Sequence, residues 1–370
     1  MFFFMLFCMI YSYITYPFAL FVLSKICNNP WNQKNLEPTV SVIISVYNEE
    51  AVISEKVSNT LNLDYPQKLL EVIVGSDGST DRTNEIVSGI GDSRVVFYTF
   101  PERQGKTICL NKLVPLAKGE ILIFTDANSI LPASVLRKIV RNFSDHKIGL
   151  VTGWTKYISH SGEESNMGLY SHFEKVIKVF ESAVGSCVGA DGAIFAIRKS
   201  LYRNLQGDDI NDFITPFDVI RQQQRVVLDP DVFCVEEESN EAKNAFRRQV
   251  RITTRTLWAI RRNMELLNPF KYGSFSFFIY SHKVMRFLAP LFLMGMFAIN
   301  LFLFKMNLLF KASLLLQSLF FACGTAGLLF DSDSAIFDIP EMLLVTFIAQ
   351  IIGWLRMLAG IEDIMWTPSR

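Results

Sequence analysis

The chain has 370 residues, enough for more than one folded unit. Its 36 lysines and arginines are matched by 36 aspartates and glutamates, a balance that argues against a basic nucleic-acid binder and against an acidic tail. Half of the residues are apolar and they gather at the two ends, so the chain reads as a polar middle between two membrane regions.

Residues 2–23 contain no charged side chain, and the first charge is Lys25. A helix of about 20 apolar residues crosses a bilayer core. The run has no basic start, short apolar core or small-residue cleavage site, so it is expected to remain as an anchor, kinked at Pro17. Lys25 and Lys34 follow it, which favours a cytoplasmic position for the next segment.

That segment alternates strand and helix. Val40–Val46 is an apolar run ending at "YNEE", and a helix is expected over about 51–61. "EVIVGSDGSTDRT" is a second strand, with Ser79 or Thr80 expected to cap the next helix. "RVVFYTF" is a third, and "RQGKTICLNKLVPLAKGE" a glycine turn with a helix. "EILIFTD" is a fourth strand, followed by a helix from about Pro132 that Asp126 alone would suffice to explain as a cap. This order implies a mostly parallel α/β sheet with helices on both faces. Asn48 and Glu49, Asp77 and Asp126 then fall at the carboxyl ends of strands, the edge where open α/β sheets bind ligands. No G-x-G-x-x-G follows the first strand and no P-loop motif occurs, so neither a Rossmann dinucleotide site nor a P-loop is supported.

The carboxyl-terminal quarter is apolar again over Phe287–Phe304, Asn307–Phe330 and Met342–Leu358. One anchor and three full spans would leave both chain ends on one side, unless a segment is re-entrant, so the side of the "MWTPSR" tail stays open. The expected organisation is an anchor over 1–27, a cytosolic domain over 28–270, an interfacial segment over 271–286, membrane segments over 287–360 and a tail over 361–370. Six cysteines without paired spacing, and without a ligand pattern shared with the four histidines, fit a reduced, cytosol-facing protein.

The ordered set "SVIISVYNEE", "EVIVGSDGSTD", "GKTICLN", "FTDANS", "GADGAIFAIRKSLY", "NDFITPFDVI" and "FRRQVR" resembles the inverting family 2 glycosyltransferases. Within them it is most similar to the membrane polysaccharide synthases of the cellulose, hyaluronan, chitin and poly-N-acetylglucosamine group. The resemblance spans about Thr39 to Arg262 and implies a GT-A-like fold flanked by transmembrane helices. It implies a nucleotide-sugar donor, a UDP-sugar first, and a growing polysaccharide as acceptor, with single transfer to a lipid-linked or short glycan as the alternative. A bacterial inner membrane, with accessory secretion proteins, would be the setting. A non-catalytic nucleotide-binding membrane protein is the reading from another class.

By the same resemblance Tyr47, Asn48, Glu49 and Asp77 would hold the nucleoside, and Lys106 would be the basic residue of that pocket. Asp126 would touch the donor sugar or ribose. Asn128 stands where the D-x-D segment binds a divalent cation, Mg²⁺ or Mn²⁺; its amide oxygen can ligate but adds no negative charge. Gly189, Asp191 and Gly192 would lie beside the acceptor. Asp212 is the expected base, with Asp209 and then Asp208 as rivals, because inverting transfer needs a carboxylate to take the acceptor proton. Against the usual Q-x-x-R-W pattern, Arg248 stands for Gln and Ile252 for Trp while Arg251 keeps the Arg; Arg248 and Arg251 would meet the pyrophosphate, and Arg255, Arg261 and Arg262 are left to the membrane face. Tyr170, Phe173, Ile177, Phe180 and Val184 form one helical stripe, read as a wall of the acceptor site.

Overall fold

The computed structural model describes residues 1–159, 166–237, 242–330 and 334–361. Among these residues seven strands form one sheet: β1 Val40–Val46, β2 Leu70–Asp77, β3 Val95–Phe100, β4 Ile121–Thr125, β5 Ile148–Ile158, β6 Ile194–Arg198 and β7 Arg225–Glu237. Their order is β3-β2-β1-β4-β6-β5-β7. β1 pairs in parallel with β2 and β4, β2 with β3 and β5 with β7, while β6 is antiparallel to both its neighbours. Fold class and the first four strands agree with the sequence reading.

Continuous apolar runs make these strands because both faces are covered. Val42, Ile44, Val72 and Ile123 pack into one core with the helices α2 Ile53–Leu61 and α5 Val135–Val140. Ile43, Ile73, Leu122 and Phe124 pack into the other, with α4 Lys106–Leu113. Alternation along a pleated strand sends neighbours to opposite faces, so a two-sided core favours apolar residues on both. The short helix α3 Thr83–Ser88 lies between β2 and β3.

Two local expectations change. α3 begins after Arg82, and Asp81 accepts from the Thr83 N–H at 3.0 Å, so Asp81 and not Ser79 or Thr80 holds its first turn. α5 begins at Val135 behind Ser134, too far along the chain for Asp126 to cap it. Asp126 is therefore released from the structural role that its position first suggested.

Among the described residues, four helices are long and apolar enough to cross a membrane: α1 Phe2–Ile26, α9 Ser274–Leu303, α10 Leu308–Phe330 and the span Ile336–Leu358 within α11 Ala335–Leu358. Large apolar side chains on them stand open to the surroundings, Phe302 by 85% and Leu316 by 67%, as lipid-facing residues would. The helix over 274–303 is continuous, so the expected interfacial stretch leads straight into the span. The "MWTPSR" tail lies outside the described residues.

Three further helices join the sheet to this bundle: α6 Asn166–Val184, α7 Asn211–Arg221 and α8 Ala242–Arg262. A third core links them, in which Ile177, Phe213 and Phe217 pack with Tyr16 of α1 and Phe275 and Phe278 of α9. Phe173, Phe180 and Val184 of the predicted stripe pack against this same core, so the stripe faces the membrane helices; the Tyr170 side chain lies outside the described residues.

Candidate active site

The carboxyl edge of the parallel strands carries the polar residues. Asn48, just past β1, adopts φ +53°, a left-handed conformation that asparagine tolerates better than most residues. Its amide oxygen accepts from the Thr80 N–H at 2.8 Å, and its own N–H donates to the Ser79 hydroxyl at 3.1 Å. The β1 and β2 ends are thereby laced together. Buried Glu49 donates its N–H to Thr83 at 2.8 Å.

Asp77 closes β2 and is almost fully buried. Its two carboxylate oxygens accept from the N–H groups of Gln104 at 2.9 Å and Gly105 at 2.7 Å. Asp77 thus anchors the loop that carries Arg103, whose guanidinium lies 3.7 Å from the centre of the Tyr47 ring. Arg103 went unnoticed in the sequence; only the loop anchored by Asp77 brings it onto Tyr47.

At the end of β4, the Lys106 ammonium meets an Asp126 oxygen at 2.5 Å. Burial lowers the affinity of Lys106 for its proton, but the charge and hydrogen bond of Asp126, with the charges of Asp212 and Glu236, together leave its pKa raised. The loop after β4 is held from beneath by Lys56, completely buried, which donates to the Thr125 hydroxyl at 2.8 Å and to the Ser129 carbonyl. Burial pushes Lys56 down to about 8. Ser129 in turn donates to Glu236 at 2.5 Å. Glu236, at the end of β7, is buried, and burial together with the nearby Asp126 raises its pKa. Sequence reasoning missed Lys56 and Glu236.

The second half of the site is the turn before β6. Gly189 has φ +77°, a conformation that glycine adopts without a Cβ penalty. The Ala190 N–H donates to the Asp212 carbonyl at 2.7 Å. A Cβ on Gly192 would lie 3.0 Å from an Asp212 carboxylate oxygen, so the absent side chain leaves room for that carboxylate. Asp191 points elsewhere: Thr155 donates to its oxygens at 2.9 and 3.0 Å, and the Ala193 N–H donates at 3.0 Å. It shapes the turn. Asp212 sits in the first turn of α7, and burial raises its pKa against the opposing pull of Lys106 and Lys178.

Its rivals are tied down. Arg262 pairs with Asp208, and Arg255 donates to the carbonyls of Asp208, at 2.8 Å, and Asp209, at 2.5 Å. The Asp209 carboxylate accepts from the Gln206 N–H at 2.8 Å. Arg255 and Arg262 therefore brace the loop before α7, correcting their assignment to the membrane face. Arg248, higher on α8 and exposed at the surface, has a raised pKa: partial loss of hydration opposes the charge, but Tyr157, Glu236 and Asp126 favour it. Arg251 lies one turn further along the same helix.

The half-exposed Asp126 and exposed Asn128 offer oxygen ligands at the mouth of the site, and no group of three His, Cys, Asp or Glu converges among the described residues. Such a sparse oxygen set fits a cation that takes most of its ligands from substrate phosphates and water, as Mg²⁺ does.

Residues 41–206 match the family described as Glycosyl transferase family 2. Over 118 residues the chain is 34% identical to a beta-monoglucosyldiacylglycerol synthase of Nostoc sp., covering 31% of this chain and 25% of that protein. Over 116 residues it is 32% identical to a poly-beta-1,6-N-acetyl-D-glucosamine synthase of Staphylococcus aureus, covering 31% and 28%. The chain thus spans about a quarter of the length of these curated relatives. Among solved structures, a mannosyltransferase from Pyrobaculum calidifontis in complex with GDP-Man and Mn²⁺ superposes with a TM-score of 0.75. That match covers 97% of this chain and 98% of the other at 23% identity, and so concerns the fold. Residues 41–206 are a family 2 glycosyltransferase domain, built on the GT-A fold.

Proposed function

We propose that the chain is a membrane-bound inverting transferase that moves a sugar from a nucleotide-sugar donor to a growing cell-surface or extracellular glycan. One observation carries the reading: Asp126 with Lys106 marks a donor side, and Asp212, packed under Gly192, marks an acceptor side of the same edge. Asp212 takes the acceptor hydroxyl proton as that oxygen bonds to the anomeric carbon. The nucleoside diphosphate leaves from the opposite face with the electron pair of the broken bond. The raised pKa of Asp212 makes it a stronger base than an exposed carboxylate.

Tyr47, Asn48, Glu49 and Asp77 hold the nucleoside, and Arg248 and Arg251 offset the charge of the departing diphosphate. Asp126 and Asn128 would hold a Mg²⁺ or Mn²⁺ ion, which when bound neutralises pyrophosphate charge. A UDP-sugar is our first donor, and the GDP-Man of the structural neighbour makes GDP-sugars the comparison. We assign the catalytic domain to the cytoplasmic side of a bacterial inner membrane.

A second reading, transfer to a lipid or lipid-linked acceptor, is favoured by the similarity to a beta-monoglucosyldiacylglycerol synthase and by the packing of α7 on α1 and α9. Product extraction and sizing separate the two. The test uses the purified full chain with a panel of UDP- and GDP-sugars, membrane lipids and Mg²⁺ or Mn²⁺, reading released nucleoside diphosphate. One donor is expected to turn over, with Asp212→Asn inactive yet still binding nucleotide. Nucleotide binding without turnover of any donor would favour a non-catalytic nucleotide-binding protein instead.

A further inference from the structure

A buried polar network lies between the membrane helices and the turn that carries Gly189 and Gly192. At its centre is Glu181 of α6, fully buried. One of its oxygens accepts from the Tyr16 hydroxyl of α1 at 2.7 Å and lies 2.7 Å from His282 Nδ1 of α9. Its other oxygen accepts from the Val188 N–H at 2.9 Å. His282 Nε2 reaches Glu174, two turns back on α6, at 3.0 Å. Lys283 and Arg286 pair with the same Glu174.

One turn before Glu181, Lys178 donates to the Ala190 carbonyl at 3.2 Å. α6 therefore grips the 188–190 backbone twice, once through a carboxylate and once through an ammonium. That backbone in turn holds α7, because the Ala190 N–H donates to the Asp212 carbonyl at 2.7 Å. A buried carboxylate with three partners is costly to disturb, since the atoms that face it would be left unsatisfied in a low-dielectric setting.

We propose that Glu181 is a positioning residue for the transfer step, through which α1 and α9 set the place of Asp212. This rests on the reading of Asp212 as the base. Glu181 touches no substrate in this scheme; it acts through Val188, the turn and α7. The donor half of the site, on β1, β2 and β4, lies outside the network, so the two halves are expected to respond differently.

Glu181→Gln keeps the size but leaves one acceptor oxygen in place of two, so the Val188 N–H and the Tyr16 hydroxyl can no longer both be held as before. In the full chain, hydrogen exchange over 186–193 is expected to quicken on the order of tenfold, while peptides of β1 and β4 are unchanged. Turnover of the UDP- or GDP-sugar that the wild type consumes should fall about tenfold or more, since small misplacements of a catalytic group are costly. Affinity for UDP and GDP should stay within about twofold, a kcat effect without a donor-binding effect. Tyr16→Phe, which removes one hydroxyl, is the milder partner and should give the same pattern at smaller size.

Unchanged exchange over 186–193 in both variants would overturn the proposal, as would equal losses of turnover and nucleotide affinity. A wild type that consumes no donor would defeat the transferase reading instead. The exchange arm would still report on the contact. If Glu181→Gln does not fold, Tyr16→Phe decides.

Discussion

Gly192→Ala asks how closely the turn must fit the base. The new methyl group would lie 3.0 Å from an Asp212 carboxylate oxygen and 3.4 Å from its carboxyl carbon, where ordinary contact begins at about 3.4 Å. The difference for the oxygen, 3.4 less 3.0, is a retreat of about 0.4 Å. Gly192 has no positive φ, so the added carbon brings no backbone strain and acts through this contact. If a 1 Å misplacement costs on the order of a hundredfold, 0.4 Å costs roughly sixfold in kcat, or about 1 kcal/mol in the barrier. The assay compares kcat, nucleotide affinity and thermal midpoint for the two proteins under saturating donor. A kcat within twofold of wild type would refute the reasoning. So would a parallel loss of nucleotide affinity, because the turn would then belong to the donor side.

Asp77→Ala removes the carboxylate acceptors of two backbone N–H groups in the 104–105 loop. Each charge-assisted bond is worth about 1.5–3 kcal/mol, and UDP or GDP affinity measured by titration should fall more than tenfold. Lys56 is held at about 8 against an ordinary 10.5, so the unfolded chain binds the proton more tightly between those values. Stability should therefore rise with pH across that window by up to about 3 kcal/mol, and Lys56→Met should flatten the rise in thermal melts at pH 7.5 to 10.5. Chelation by EDTA should stop turnover and added Mn²⁺ restore it; full activity after exhaustive chelation would remove the cation from the scheme.

The first four strands were legible because each is a mostly apolar run without strict polar alternation, as a sheet covered on both faces favours. Asp77, Asp126 and Asp212 were legible because they end or begin such elements in a recognisable order. Glu236 was not: it follows the alternating run of β7 and reaches Ser129 only once β7 lies beside β5 at the far side of the sheet. Lys56 reads as a helix-surface lysine, and nothing local reveals that its stem passes under the β4 loop to Thr125. Arg255 and Arg262 share a face with residues that do meet membrane helices, and only the return of the 208–209 loop turns them inward. Long-range pairing, which carries no local signature, accounts for each omission.

α1 contains a π-helical turn over Tyr11–Thr15, and α9 one over Ile279–Val284; the Tyr11 hydroxyl meets Ser281 at 2.7 Å where they face each other. A π turn holds one more residue than the α turn it replaces, and one residue corresponds to about 100° of rotation. Tyr16 follows the first of these turns and His282 lies within the second. The angular phase of both side chains therefore depends on a single extra residue in each helix. Losing either one would swing a hydroxyl or an imidazole off Glu181 while leaving hydropathy, length and composition almost untouched. Between relatives, a one-residue gap in either helix is thus a change of phase, and invisible to any measure of how apolar the segment is.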